Sequence, residues 1–108
     1  MEELAVTEYK FTGQRVATRG IVESLPDGLA IFIWDLIEER KTDKDFVMDY
    51  LQVFELSVVD GLQVIRHFQE QSEPYEAFHY PIGQPLTSGK IYIIDDYFHV
   101  TMLWSFEY

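Results

Sequence analysis

Two β-favouring runs separated by a two-residue turn constrain the fold of this chain more than any other feature. The runs are YLQVFELSVV (50–59) and LQVIRHFQEQ (62–71), and only Asp60 and Gly61 stand between them. An Asp-Gly pair favours a tight hairpin because both central positions of such a turn require a positive φ, which Gly adopts freely and Asp tolerates. The spacing therefore predicts two long, neighbouring antiparallel strands.

An amphipathic helix is predicted before this hairpin, from Ser24 to about Lys41. Ser24 is suited to cap its amino terminus, and Pro26 is tolerated in a first turn. The apolar residues recur with the spacing of one helical face: Leu29, Phe32, Ile33, Leu36 and Ile37. Such a stripe is typical of a helix that packs on a core through one side.

The amino-terminal part is predicted to be an arm followed by a strand. Residues 1–13 mix charges without a period and end at a glycine, which indicates a loose arm. Residues 14–23 alternate as a strand does, and Gly20 within them indicates a bulge or a close approach of the backbone.

The carboxyl-terminal part is predicted to be a loop followed by a second hairpin. Residues 72–89 hold three prolines and two glycines, so a loop is favoured, with a short edge strand over 75–80. The runs 90–95 and 97–104 then form the hairpin, which turns near Asp95 and Asp96.

Together these elements predict an α+β fold, with a mainly antiparallel sheet of about five strands and one amphipathic helix packed on one face. A chain of 108 residues has room for one core. We therefore expect residues 1–108 to form a single domain.

The charge balance restricts the partners. Eight Lys and Arg residues against 19 Asp and Glu residues give a net charge of −11, which opposes direct binding to nucleic acid and favours a basic protein partner. The absence of cysteine excludes disulfides and thiolate zinc sites. The amino terminus lacks the pattern of a signal peptide, and no apolar run approaches the ~20 residues of a membrane span, so a cytoplasmic location is expected.

Catalytic and metal-binding candidates are few. His67, His79 and His99 could gather on the sheet as metal ligands, but no local spacing supports this, and ordinary partly buried or solvated histidines are favoured. Asp95 and Asp96 could act as an acid–base pair, and His99 with Asp95 would suit a small hydrolase or isomerase, but an Asp pair at a hairpin tip more often serves the turn. We therefore expect no enzymatic activity, no metal and no cofactor.

Several segments resemble a family of small uncharacterised domains, classed as a domain of unknown function, from Gram-positive bacteria and their mobile elements. The segments are RVATRGIVESLP (15–26), IFIWDLIEE (31–39), DYLQVFELS (49–57), HFQEQSEPYE (67–76), KIYIIDD (90–96) and TMLW (101–104). The resemblance covers roughly residues 15–104 and leaves out the first dozen residues and the terminal SFEY. It implies a compact α+β domain of bacterial or phage-related origin and no particular reaction. The association of the resembling family with mobile elements favours a protein that inhibits host defences.

A partner-binding surface is predicted on the outward side of the helix and in two acidic stretches. Its residues are Ile31, Trp34, Asp35, Glu38, Glu39, Asp43, Asp45, Glu70, Glu73 and Glu76. An aromatic anchor with an acidic rim suits a basic partner, and carboxylates on one side of a protein could imitate nucleic-acid phosphates. The alternative is that Trp34 covers the sheet edge and that the acids only keep the protein soluble.

The leading functional hypothesis is an acidic, non-enzymatic inhibitor that binds a basic, nucleic-acid-binding protein, with an anti-CRISPR or anti-restriction protein as the favoured example. The alternative is a housekeeping regulatory or adaptor domain with an unrelated protein partner. A homodimer through exposed strand edges is a further alternative.

Overall fold

The structure is a computed structural model that describes residues 9–71 and 73–108. Its fold is α+β, as predicted. In chain order its elements are β1 (Gln14–Ala17), α1 (Arg19–Ser24), α2 (Asp27–Lys41), β2 (Leu51–Val59), β3 (Leu62–Gln69), β4 (Tyr75–His79), β5 (Gly89–Asp95), β6 (His99–Trp104) and a 3₁₀ turn (Ser105–Glu107).

Within this part of the chain the strands form one six-stranded sheet in the order β1-β6-β5-β2-β3-β4. Four of its pairings are antiparallel, but β1 runs parallel to β6, so the sheet is mixed and has one strand more than about five. The amide of Thr18 donates to the carbonyl of Met102 just beyond β1. This pairing joins opposite ends of the chain, which explains why a local pattern does not predict it.

Both predicted hairpins are confirmed. Asp60 and Gly61 turn β2 into β3 with φ values of 52° and 76°, and Val59 pairs with Leu62. The second hairpin turns after Asp95, where Tyr97 takes a φ of 76°. The edge strand expected over 75–80 is also confirmed, as β4 at one edge of the sheet.

The strand predicted over 14–23 is wrong beyond residue 17, because residues 19–24 form the helix α1. Thr18 caps this helix by accepting a hydrogen bond from the amide of Ile21. The carboxylate of Glu107 accepts hydrogen bonds from the Thr18 hydroxyl at 2.7 Å and the Gly20 amide at 3.2 Å. Gly20 thus marks a close approach, as expected, because a Cβ there would lie 2.4 Å from that carboxylate.

The predicted helix over 24–41 ends at Lys41 as expected but begins later, at Asp27. Ser24 closes α1 instead of capping α2, and its hydroxyl donates to the carbonyl of Gly20. Pro26 holds the N-cap position of α2. The described residues therefore contain two α-helices where one was predicted.

The helix α2 packs on one face of the sheet through its apolar stripe. Ile33 of the helix is fully buried against sheet residues such as Phe54 and Ile93. The buried residues of α2 are Leu29, Ile33, Leu36 and Ile37. Among the helices described, none is long and apolar enough to span a membrane.

Residues 1–8 of the predicted loose arm lie outside the described residues. The part of the arm that is described is docked on the domain. Phe11 is buried in the core, and its amide donates to the carboxylate of Asp95 at 2.9 Å. Burial of one aromatic ring thus holds residues 9–13 against the domain.

Gly89, at the start of β5, is required by the packing of Trp104. Gly89 has a φ of +145°, and a Cβ there would lie 2.6 Å from Cζ3 of the buried Trp104 ring. Gly83 also has a positive φ, +81°, but nothing lies within 4 Å of its Cβ position.

We expect Gly89→Ala to lower the free energy of unfolding by roughly 2–4 kcal/mol, because backbone strain and overpacking add. Gly83→Ala is the matched control and should cost only about 1–2 kcal/mol, from the backbone alone. Urea unfolding of the two variants measures the difference. Equal losses would mean that the Trp104 ring moves aside without cost.

Candidate functional site

The solvent-facing side of α2 carries acidic residues around one exposed apolar side chain. Ile31 is 61% exposed, and Asp27 and Asp35 lie one turn to either side of it on the exposed face. Glu39 continues this face toward the end of the helix. Within residues 9–71 and 73–108, no ion pair is formed by Asp35 or Glu39, so their charges are available to a partner.

Trp34 and Glu38, in contrast, are already engaged. The Arg15 guanidinium lies 4.6 Å from the centre of the Trp34 ring and pairs with Glu38. The hydrogen bond from Lys41, at 3.0 Å, is the main cause that lowers the pKa of Glu38, and Arg15 adds to it. A partner would have to displace Arg15 to use Trp34 as an anchor.

Two acidic stretches that are distant in sequence lie side by side. The carboxylate of Glu73 accepts a hydrogen bond from the Val47 amide at 3.1 Å, and the rings of Phe46 and Tyr75 meet edge to face at 5.0 Å. These contacts join the 43–48 loop, which carries Asp43 and Asp45, to the segment that follows β3 and carries Glu70 and Glu73.

The acids of these two stretches differ in their contacts. Asp43 lies 3.6 Å from Arg40 and accepts a hydrogen bond from the Asp45 amide. Asp45 and Glu70 are exposed, and neither forms an ion pair in the described part of the chain. Asp35, Glu39, Asp45 and Glu70 are exposed and have no cationic partner among the described residues, and we call these four the uncompensated acids.

A buried glutamine holds the two stretches together. The side-chain carbonyl of Gln69 accepts from the Asp49 amide at 2.9 Å and from Gln52 Nε2 at 2.6 Å. Its NH₂ group donates to the carbonyls of Val47 at 2.8 Å and Glu73 at 2.7 Å. Sequence reasoning missed this residue, because a Gln in a strand pattern carries no sign of four partners from three segments.

Glu76 belongs to a different surface. It pairs with Arg66, which also binds Glu55 at 2.8 Å, and Lys90 lies 3.7 Å from Glu55. These side chains alternate in sign across β4, β3, β2 and β5, on the sheet face that α2 does not cover. The charge of Glu76 is therefore largely balanced.

His67 and His99 lie in different environments. His67 is buried, stacked on Phe54 with ring centres 4.2 Å apart, and its Nε2 lies 2.7 Å from the side-chain carbonyl of Gln52. Burial lowers the pKa of His67 to about 3, with the charges of His79 and Arg40 adding to the effect. The exposed His99 lies on β6, three strands away from His67 on β3. Among the residues described, no group of three or more potential ligands could hold a metal ion.

The two turn aspartates are committed to backbone contacts. Asp95 is buried and accepts from the amides of Phe11 and Tyr97. Asp96 accepts from the amides of His99 at 2.7 Å and Phe98 at 3.0 Å, and the hydrogen bond from His99 is the main cause that lowers the pKa of Asp96. Both carboxylates stabilise the β5–β6 turn.

Comparisons with known proteins agree with this fold. A crystal structure of a protein of unknown function from Enterococcus faecalis superposes with a TM-score of 0.79 and 27% sequence identity, covering 95% of this chain and 98% of that one. A search of curated proteins found no match. A sequence model of the family described as staphylococcal protein of unknown function, DUF960, matches residues 14–107, which extends past the resembling segments into the terminal turn. Because that match covers most of its length, the chain belongs to the DUF960 family.

Proposed function

We propose that this protein is a non-enzymatic, acidic interaction protein that binds a basic, nucleic-acid-binding protein and blocks it. The observation that carries this proposal is the set of uncompensated acids: Asp35 and Glu39 lie on the exposed face of α2 that also carries Ile31, and Asp45 and Glu70 are exposed on the two joined acidic stretches. Ile31 supplies apolar contact, and the carboxylates supply long-range attraction to Lys and Arg. The net charge of −11 acts in the same direction.

The carboxylates of this surface indicate the kind of partner, because they compete with nucleic-acid phosphates for Lys and Arg side chains. Proteins that bind nucleic acids hold the phosphates with Lys and Arg, so a carboxylate surface competes for the same side chains. CRISPR effector nucleases hold their heteroduplex in a positively charged channel. The narrowest form of the proposal is therefore an anti-CRISPR or anti-restriction inhibitor that acts in the bacterial cytoplasm.

The contacts of the catalytic candidates support a non-enzymatic role. Asp95 and Asp96 accept hydrogen bonds from the backbone of their own turn. His67 is held neutral between Phe54 and the Gln52 side chain. A general acid or base needs a side chain that faces the substrate and exchanges a proton near the working pH, and none of these three residues fits that role.

A regulatory or adaptor domain with a partner of another kind is the second candidate. Exposed apolar residues at and beyond the edge strand favour it: Phe78, Tyr80 and Ile82 are 50%, 61% and 86% exposed. Strand pairing at this edge would also suit a homodimer. Salt separates the candidates, because the Debye length falls from ~8 Å at 0.15 M to ~3 Å at 1 M, which weakens charge steering and spares apolar contacts.

Neutralising two uncompensated acids tests the proposal. We expect Asp35→Asn with Glu39→Gln to weaken binding to a guide-loaded CRISPR effector nuclease or a restriction nuclease by about tenfold, or about 1.4 kcal/mol. Biolayer interferometry measures the affinity, and a DNA-cleavage assay measures the inhibition. Each assay uses a panel of both nuclease classes at low and high salt.

The matched control is Glu23→Gln with Asp60→Asn, which removes the same charge from exposed positions on α1 and at the β2–β3 turn. Asn suits the positive φ at residue 60. This control should bind nearly as the native protein does. If both variants lose the same amount of binding affinity, the cause is the net charge and not the position of the acids. If the native protein neither binds nor inhibits any nuclease at about 10 µM, the proposal is refuted.

A further inference from the structure

A cleft of about 440 Å³ lies at the carboxyl-terminal end of α2, between the docked arm and the 43–48 loop. Its charged lining is one acid, Asp43, and four of the eight basic residues of the chain: Lys10, Arg40, Lys41 and Lys44. Its size falls within the usual range for small-molecule sites, roughly 300–1,000 Å³. In a protein with a net charge of −11, this concentration of cations is a distinct feature.

The wall formed by the arm is packed on the domain. Phe11 has a φ of +54°, an unfavourable conformation for a non-glycine residue, and it is held there by burial of its ring and by the bond from its amide to Asp95. Tyr9 stacks on Tyr97 with ring centres 5.0 Å apart. Backbone strain that the surrounding structure maintains is common at binding sites. Here the burial of the Phe11 ring and the bond to Asp95 hold Tyr9, Lys10 and Thr12 on the cleft.

The opposite wall is also fixed by packing. The Arg40 guanidinium lies over the Phe46 ring, 5.4 Å from the centre of that ring, and the Phe46 ring also packs against the ring of Tyr75. Val47 and Met48 complete the apolar part of this wall. The cleft therefore combines preformed aromatic and aliphatic surfaces with cationic side chains.

Among residues 9–71 and 73–108, ion pairs are formed by two of the four cations and not by the other two. Arg40 lies 3.6 Å from Asp43, and Lys41 lies 3.0 Å from Glu38. Lys10 and Lys44 form no ion pair within the described ranges. Arg40 and Lys41 complement the dipole at the end of α2, but Lys10 lies outside the helix, in the arm, so the dipole does not explain its position.

We infer that this cleft binds a small organic anion. Its phosphate or carboxylate group lies with Lys10 and Lys44, and its apolar or aromatic body lies against Tyr9 and Phe46. The inference is independent of the proposed function, because it uses the cations of the chain and not its uncompensated acids.

Titration of the full-length protein with small probes, followed by ¹H–¹⁵N NMR, tests the inference. Phenyl phosphate or benzoate should shift the amides of residues 9–12 and 44–48 in a saturable way, and the tighter of the two identifies the preferred head group. Inorganic phosphate, which lacks the body, should bind at least about tenfold more weakly, and the neutral benzyl alcohol should not saturate. No saturable shift with either anion up to about 20 mM would overturn the inference.

Paired variants locate the site. Lys10→Gln with Lys44→Gln should weaken binding of the better probe by about tenfold or more. Arg19→Gln with Lys90→Gln removes the same charge from exposed positions outside the cleft, and should change the affinity by less than about twofold. Equal losses in the two variants would show that the probe responds only to net charge and would also overturn the inference.

Discussion

Acidification is expected to destabilise this protein steeply because of His67. Its folded-state pKa is lowered to about 3 from the usual 6.5, mainly by burial. Between these values the unfolded chain binds a proton that the folded protein does not, so the contribution of His67 to stability is fully present above about pH 6.5 and is lost as the pH falls toward 3. The slope is about 1.4 kcal/mol per pH unit, which gives a loss of about 3 kcal/mol at pH 4.

The variant His67→Gln should remove most of this dependence, because a glutamine amide does not titrate. Its side chain is also able to donate a hydrogen bond to the Gln52 carbonyl that His67 contacts. Urea unfolding at a series of pH values gives the slope for each protein. His99→Gln, which removes an exposed histidine, is the matched control and should keep the native slope.

Equal pH slopes in the native protein and His67→Gln would contradict this account. Groups whose pKa is lowered by hydrogen bonds, such as Glu38, Asp96 and Glu107, also lose stabilisation on acidification. They are present in every variant, so the difference between slopes isolates His67. An NMR titration of the His67 ring, which should stay neutral above about pH 4, provides an independent readout.

The second large effect is expected from Gln69→Leu. This change keeps much of the volume but leaves the buried Asp49 amide without its acceptor, and Gln52 Nε2 keeps only its bond to the Asp49 carbonyl. Each buried group that loses its partner costs about 1–3 kcal/mol, so we expect a loss of about 2–4 kcal/mol in the free energy of unfolding. A domain of this size has roughly 5–15 kcal/mol of stability, so the variant should remain folded.

The effect of Gln69→Leu should also reach the candidate surface. Without the bonds to the Val47 and Glu73 carbonyls, the 43–48 loop and the segment after β3 are joined less firmly, through the Val47–Glu73 hydrogen bond and the Phe46–Tyr75 ring contact that remain. Amide hydrogen exchange at Val47 and Asp49 should accelerate by about tenfold or more, because these groups then open locally. Binding to a basic partner should weaken as well if the uncompensated acids act together.

Gln63→Leu is the matched control for this prediction. Gln63 is also buried, but it holds a different loop, the one that carries Thr87. Its side-chain carbonyl accepts from the Thr87 amide at 2.7 Å, and its NH₂ group donates to the carbonyls of Thr87, at 2.9 Å, and Ser57. Its loss should reduce stability by a similar amount but leave exchange at Val47 and Asp49 unchanged. If both variants accelerate exchange there equally, Gln69 has no special role in joining the acidic stretches.

Features that depend on neighbouring residues were predictable from the sequence. The Asp60–Gly61 turn and the apolar stripe from Leu29 to Ile37 appear as expected, because φ preferences and helical spacing act over a few residues. The exposure of Ile31 also follows from its position on the helix. Trp34 shows the limit, since its ring is covered by Arg15, which precedes it by 19 positions and belongs to the strand β1.

The sequence by itself determined the α+β class, both hairpins, the buried face of α2 and the excess of acid. Tertiary structure decided that residues 19–24 are helical, because Glu107 binds Thr18 and Gly20 from the far end of the chain. It decided the parallel pairing of β1 with β6, the joining of the acidic stretches by Gln69 and the meeting of Lys10 with Lys44 in one cleft. These contacts join distant residues, and only the folded chain sets which of many alternative pairs come together.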